Sequence, residues 1–341
     1  MEVEGTWRWD DDLARLKRAF EIHQGRLHVY ESQNEPNNFG NWTKRFKGPA
    51  SPWLADNWGK PFSDLVKAMK QTLSAVDPQA KLLWHDLDSP AWIHAFASKW
   101  GAAPFVDGVA PHPYSLHGQL PETQEYVRGA KDYLAMLDLH HIPRNVWVTE
   151  VGYTTYQNPA YRKGTVAYQP LTEPQQAAWL VRVYISHLGW GVSRIFWYDL
   201  MDDGNDEKEC EHRFGLFHHN SLTPKPAAIA YANLIHEARD SRWIAPCKLA
   251  GIPQANAFAF ACADAATCMV AAWMPEGASD LRLPSSTVVT DIFGAVLEPR
   301  DGLLTLTNSP VYIHGLGPQC LDLGERVNLG TLGSTPKQST R

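Results

Sequence analysis

Up to about residue 240 the chain alternates helical apolar periods with short, unbroken apolar runs, and few architectures accept that alternation. The runs are Leu27–Tyr30, Lys81–Trp84, Val106–Ala110, Val146–Thr149 and Arg194–Tyr198. Each is continuous rather than alternating, as a parallel strand covered on both faces requires. Between them lie helical stripes. Leu13, Leu16 and Phe20 share a spacing that Gly25 ends. Phe62, Leu65, Val66, Met69 and Leu73 form a second stripe that Pro78 stops. A helix is predicted around Ala91–Trp100, and another over Gln124–Leu139 with Val127, Leu134 and Leu137 inward. Thr172 with Gln175 makes a capping-box pattern ahead of Leu180, Val181, Tyr184, Ile185 and Leu188. A helix over Pro226–Ala238 closes the series. Alternating strands and helices predict a parallel α/β sheet or a (β/α)8 barrel.

From about Trp243 the texture changes. Phe258–Phe260, Cys268–Val270, Thr287–Val289, Leu303–Leu306 and Val311–Ile313 are short strand-like runs with turn residues between them. They predict a small β-sandwich. The expected organisation is therefore a barrel domain over 1–240, a β-sandwich over 241–322 and a flexible Gly-, Ser- and Thr-rich tail over 323–341. No internal repeat is visible.

Two glutamates sit where a parallel barrel gathers chemistry. Glu35 follows the first run in Tyr30-Glu31-Ser32-Gln33-Asn34-Glu35-Pro36-Asn37, and Glu150 ends the fourth in Trp147-Val148-Thr149-Glu150. All parallel strands of a barrel deliver their ends to one rim, so residues far apart in sequence can face each other there. Two carboxyls about 5–5.5 Å apart suit retaining glycoside hydrolysis: one attacks the anomeric carbon, the other protonates the leaving oxygen and later activates water. The acid must hold its proton near neutral pH, which the neighbouring charge and burial favour.

Asn34-Glu35-Pro36-Asn37 after one strand and Thr149-Glu150 at the end of a later one resemble glycoside hydrolase clan A, and family 39 and its relatives in particular. The resemblance implies that Glu35 is the general acid/base on the fourth barrel strand and Glu150 the nucleophile on the seventh. Asn34 would contact the sugar 2-hydroxyl. His112 or Tyr114, in Ala110-Pro111-His112-Pro113-Tyr114, would hydrogen-bond the nucleophile. Trp197, in Phe196-Trp197-Tyr198, would floor the sugar pocket. Phe214–Phe217 and Pro224–Ala227 resemble the approach to the last barrel helix, and Asp291–Gly294 and Pro310–Ile313 resemble the appended sandwich. The match runs from about residue 10 to 315. His85 ends the fifth strand and is a further candidate to face the pocket, against a structural role. Trp42, Trp53 and Trp58 fall on a long loop, Asn37–Gly59, where one or two are expected to line a subsite.

If Tyr30 belongs to a fourth strand, three β/α units should precede it. At roughly 30 residues per unit they need about 90 residues, and about 26 are present, reading as one helix. The strand-rich C-terminal part cannot supply them, so a circular permutation is not expected. The expectation is an incomplete barrel, with strands 4–8 present, from a truncated or misassigned reading frame.

Composition sets further bounds. A formal charge of −6 argues against nucleic acid as the main partner. No run approaches the roughly 18 apolar residues of a membrane span. No signal-peptide pattern opens the chain, and localisation and oligomeric state stay open. Fourteen tryptophans favour a sugar-binding surface, although most are expected in the core. The five cysteines lack zinc-ligand spacing. Cys262 and Cys268 flank a turn and are read either as a hairpin disulfide or as two thiols. Asp199–Glu211 holds seven acids without the spacing of a calcium loop, and reads as a solvated loop above the pocket. Asn41-Trp42-Thr43 is a glycosylation sequon. The predicted partner is a carbohydrate, with no metal or organic cofactor. Two competing readings are a catalytically silent carbohydrate-binding scaffold and an inverting enzyme, whose carboxyls would stand more than about 6.5 Å apart.

Overall fold

The computed structural model describes residues 10–36, 56–85, 90–114, 120–123, 130–157, 170–262, 268–316 and 321–322. Trp42, Trp53, the sequon, Val127, the side chains of Cys262 and Cys268, and the tail lie outside the described residues. The chain divides into two compact units.

The first unit holds the described residues of Met1–Tyr114, Gln124–Val151 and Val192–Trp197. Its elements are α1 (Asp10–His23), β1 (Val29–Glu31), α2 (Asp56–Val76), β2 (Lys81–Leu83), α3 (Pro90–His94) with a π-helical turn over Ala95–Lys99, α4 (Ala130–Leu139), β3 (Trp147–Val151) and β4 (Arg194–Trp197). Every strand contact in it is parallel. β1 pairs with β2, with Tyr30 opposite Leu82. Trp84 bridges Val109, and Val109 bridges Val146. β3 pairs with β4, with Trp147 opposite Arg194. Five segments thus run side by side in chain order.

The third of these is shorter than the run Val106–Ala110 predicts. Only Val109 bridges its neighbours, with its N–H donating to the Asn145 carbonyl at 3.0 Å and its carbonyl accepting from Trp147 at 3.0 Å. Pro111 lacks a donor to extend the ladder. The Asp107 carboxylate instead accepts from the Leu82 N–H at 2.8 Å and the Lys70 ammonium at 2.5 Å. A Cβ on Gly108 would lie 2.1 Å from the Asn145 carbonyl oxygen, so the two backbones approach this closely only because glycine is there. β4 also departs from expectation: Arg194 and Phe196 are exposed rather than covered, and both lie against Trp147 on the next strand.

α2 carries the predicted stripe. Phe62, Leu65, Val66, Met69 and Leu73 are all buried, each stabilising by roughly 1.5–3 kcal/mol relative to exposure. The helix starts at Asp56, earlier than the expected loop end at Gly59. Trp58 therefore lies inside the helix, wholly buried beside Trp92 at 5.1 Å between ring centroids. It belongs to the core and offers no face to a sugar.

The second unit holds the described residues of Ser115–Thr123, Gly152–Gly191 and Tyr198–Arg341. α5 (Glu173–Gly189) begins with the predicted capping box, Thr172 and Gln175 bonding reciprocally. It is buried almost all round, and Gln176 and Arg182 on it are held by hydrogen bonds. Arg182, fully buried, donates twice to the Glu122 carboxylate at 2.6 Å, and the Trp273 indole donates to the same carboxylate at 2.5 Å. α6 (Pro226–Ala238) packs on α5.

Nine strands follow: β5 (Ser241–Leu249), β6 (Ile252–Cys262), β7 (Cys268–Trp273), β8 (Ser279–Arg282), β9 (Val288–Asp291), β10 (Val296–Leu297), β11 (Leu303–Leu306), β12 (Val311–Leu316) and β13 (Leu321–Asp322). Seven form an antiparallel sheet in the order β10-β9-β12-β7-β6-β5-β13, and β8 and β11 form a separate ribbon. Ala257, Ala259, Val270 and Ile313 of the sheet share one core with Leu281, Leu304 and Leu306 of the ribbon. The acidic stretch Asp199–Glu211 is not simply solvated. Asp202 is fully buried and accepts from the equally buried Lys225 ammonium at 2.6 Å, a partner whose position along the chain gave no hint of the pairing.

Candidate active site

The C-terminal ends of β1, β2, the Val109 segment and β3 bring seven polar side chains of the first unit together. At the centre is His112, 3% exposed. Its Nδ1 lies 2.9 Å from Glu35 Oε1 and 3.6 Å from Glu150 Oε2. Its Nε2 lies 3.0 Å from the Thr149 hydroxyl and 3.7 Å from Glu31 Oε1. One carboxylate oxygen of Glu35, one of Glu150 and a ring nitrogen of His112 all fall within 4.8 Å of one another. The two glutamates singled out in the sequence therefore meet at one nitrogen of one imidazole, His112 Nδ1.

Each is aimed by its backbone. Glu150 is the fourth residue of β3. Tyr114, past Pro113, donates its hydroxyl to Glu150 Oε2 at 3.1 Å. Glu35 lies in the turn beyond β1 with a φ of 37°, a left-handed conformation that costs a non-glycine residue about 1–3 kcal/mol. Trp197 ends β4 directly opposite Val151 in register, so it leaves the sheet beside the Glu150 end of β3. Asn34 is exposed in the turn before Glu35.

His85, almost fully buried, is turned to Glu31 rather than to either predicted catalytic glutamate. Its Nδ1 is 3.2 Å from Glu31 Oε1, and its backbone N–H donates to the Ser32 hydroxyl at 3.3 Å. Its ring stands edge-on to His112, with centroids 4.4 Å apart and an 84° interplanar angle. Glu31 was not singled out in the sequence. The available signal was its place as the last residue of β1, on the rim that carries the other acids.

The electrostatics follow from this packing. Burial pushes the Glu150 carboxyl above the ordinary carboxylate range; His112 and the Tyr114 hydrogen bond pull it back, while Glu35 and Glu31 push it further up. Glu31 goes the other way. Burial would raise it, but hydrogen bonds and charge from His112 and His85 prevail and hold it at about 2. A carboxyl that keeps its proton to higher pH and two close acidic partners form an arrangement able to pass protons and to place an oxygen nucleophile against an electrophilic carbon.

No protein-family model matches the sequence, and no curated protein matches it. Solved structures do match. A family 39 glycoside hydrolase from Bacteroides cellulosilyticus aligns over 89% of this chain at a TM-score of 0.67 and 21% identity. An α-L-arabinofuranosidase from Thermotoga maritima aligns over 91% at 0.53 and 12% identity, and covers 74% of that protein. A glucosidase from Croceicoccus marinus aligns over 89% at 0.54 and 14% identity, also covering 74% of that protein. The chain spans 62% of the length of the family 39 hydrolase. The fold is thus one shared with these three structures.

Proposed function

We propose that the chain carries the site of a retaining glycoside hydrolase acting on β-linked O-glycosides, with Glu35 as acid/base and Glu150 as nucleophile. The observation that carries this reading is the approach of the two carboxylates within 4.8 Å about His112. Retaining enzymes need carboxyls about 5–5.5 Å apart, whereas inverting ones leave about 6.5–9.5 Å for a water. The likeness in fold to a family 39 hydrolase supports the same assignment. On this reading β1, β2, the Val109 segment, β3 and β4 are strands 4–8 of a (β/α)8 barrel within residues 1–240. The sheet and ribbon of 241–322 then form the β-sandwich that follows it.

In the first step a Glu150 oxygen bonds to the anomeric carbon as the glycosidic C–O bond breaks, and Glu35 gives its proton to the leaving oxygen. In the second, Glu35 takes a proton from water. The water oxygen bonds to the anomeric carbon, and the Glu150 ester is released. The Tyr114 hydroxyl keeps one Glu150 oxygen fixed while the other reacts. His112, held from its far side by Thr149, presents its Nδ1 to both carboxylates. Trp197 is assigned to the floor of the sugar pocket and Asn34 to the 2-hydroxyl.

The neighbours' names include both an arabinofuranosidase and a glucosidase, so the test is a panel of aryl β-glycosides and α-L-arabinofuranosides. A 2-deoxy-2-fluoro analogue of the best substrate should label Glu150, and the first-formed sugar should keep its anomeric configuration by NMR. An inverted product, or a label on any other residue, would exclude the assignment.

A further inference from the structure

We infer that Glu31, His85 and His112 form a binding site for a borderline divalent metal ion such as Zn²⁺, beside the two proposed catalytic glutamates. The three side chains come from the ends of adjacent parallel segments: β1, β2 and the Val109 segment. Neighbouring strands lie about 4.8 Å apart, so side chains leaving consecutive strand ends converge at about the spacing of metal ligands. Glu31 Oε1 is 3.2 Å from His85 Nδ1 and 3.7 Å from His112 Nε2. Bonds of about 2.0–2.1 Å in a tetrahedron separate ligand atoms by about 3.3 Å, and the two distances bracket that value. All three donor atoms fall within 4.8 Å of one another. The imidazoles stand edge to face rather than stacked, with centroids 4.4 Å apart.

The surroundings fit as well. A hydrogen on His112 Nδ1, donated to Glu35 Oε1 at 2.9 Å, leaves the Nε2 lone pair for the ion. This is the carboxylate–histidine–metal relay that orients ligating imidazoles in metalloproteins. The Thr149 hydroxyl now bonded to Nε2 must turn aside. Glu150 adds a further carboxylate 3.6 Å from the same ring. Two nitrogens and one oxygen favour zinc and its neighbours over calcium or magnesium, which take all-oxygen sites. The histidines are buried, while the Glu31 side chain is 27% exposed and gives the ion its route in. The site itself stands apart from the glycosidase reading. A kinetic consequence rests on that reading: an ion that engages His112 disturbs the imidazole whose Nδ1 meets both Glu35 and Glu150, and so inhibits.

The test is titration of the whole chain with Co²⁺ and Zn²⁺. One equivalent should bind with micromolar affinity or better, and Co²⁺ should give the intense visible absorption of a four-coordinate site. Glu31→Gln and His85→Gln should each weaken binding by at least ~10-fold, the loss usual even for an outer-sphere partner. His140→Gln, which removes the contact between His94 and His140 elsewhere in the unit, should leave binding unchanged. X-ray absorption of the unmodified zinc-loaded chain should show two imidazole ligands, a readout that survives if a variant fails to fold. No bound cobalt at millimolar concentration, sulfur or all-oxygen ligation, or equal binding by both site variants overturns the site. Glu35→Gln separates the two ideas: it should abolish glycoside turnover yet still bind the ion. An active chain that binds no metal defeats only the metal site, and a metal-binding chain that labels no glutamate defeats only the glycosidase.

Discussion

Replacing Tyr114 by Phe removes one hydrogen bond to one carboxylate, and its effect can be worked from the geometry. The hydroxyl donates to Glu150 Oε2 at 3.1 Å, longer than the usual 2.7–2.8 Å of an O–H···O bond, onto a side chain 30% exposed. Hydrogen bonds to charged groups contribute about 1.5–3 kcal/mol, and this length and exposure argue for the lower end. The bond favours the ionised form, so its loss moves the Glu150 carboxyl still further up from a position already raised by burial. If Glu150 is the nucleophile, it works only when ionised. The acid limb of kcat/KM against pH therefore shifts to higher pH in Tyr114→Phe. On the acid side, where activity follows the ionised fraction, about 1.5 kcal/mol lowers kcat/KM by roughly tenfold; well above the limb the loss is much smaller. The assay is a full pH–rate profile of both proteins on one aryl glycoside. A limb that stays in place or moves to lower pH would refute the claim that this hydroxyl tunes the nucleophile.

Other perturbations have equally definite outcomes. Arg182→Met leaves the largely buried Glu122 carboxylate, among the described residues, with the Trp273 indole, and should cost about 3–5 kcal/mol in urea unfolding. Adding Glu122→Gln to it should recover part of that loss. Gly108→Ala sets a methyl against the Asn145 backbone carbonyl and the Leu83 side chain, and should lower stability by about 1–3 kcal/mol in a denaturant melt. Glu31, held at about 2 in the folded chain against an ordinary 4.5, contributes stability that is complete above about pH 4.5 and is lost as pH falls toward 2. Stability measured against pH should be flatter through that window in Glu31→Gln than in the parent.

Much of this was legible in the sequence because it rests on local rules. The α2 stripe, the capping box of α5 and the ends of α6 follow from spacing and chain chemistry, and all stand as read. The convergence of Glu35, His112, Tyr114 and Glu150 was legible because parallel strands share a rim. What escaped reading depends on distance in space. Trp58 looked like a loop residue, since nothing nearby signals that Trp92 will cover it. The Val106–Ala110 run looked like a full strand, since apolar content does not reveal that Asp107 will take over a neighbour's backbone N–H. Asp202 looked solvated because Lys225 comes later, beyond two turns. Glu31 was hidden because its meaning lies in two histidines contributed by other segments.

The left-handed backbone at Glu35 bears on which residue suits that position. A scaffold kept only for binding or bulk would be relieved by glycine or asparagine there, residues that adopt that conformation at little cost. Glutamate at that φ, where its carboxylate meets His112, is a residue that local backbone preference alone would not choose.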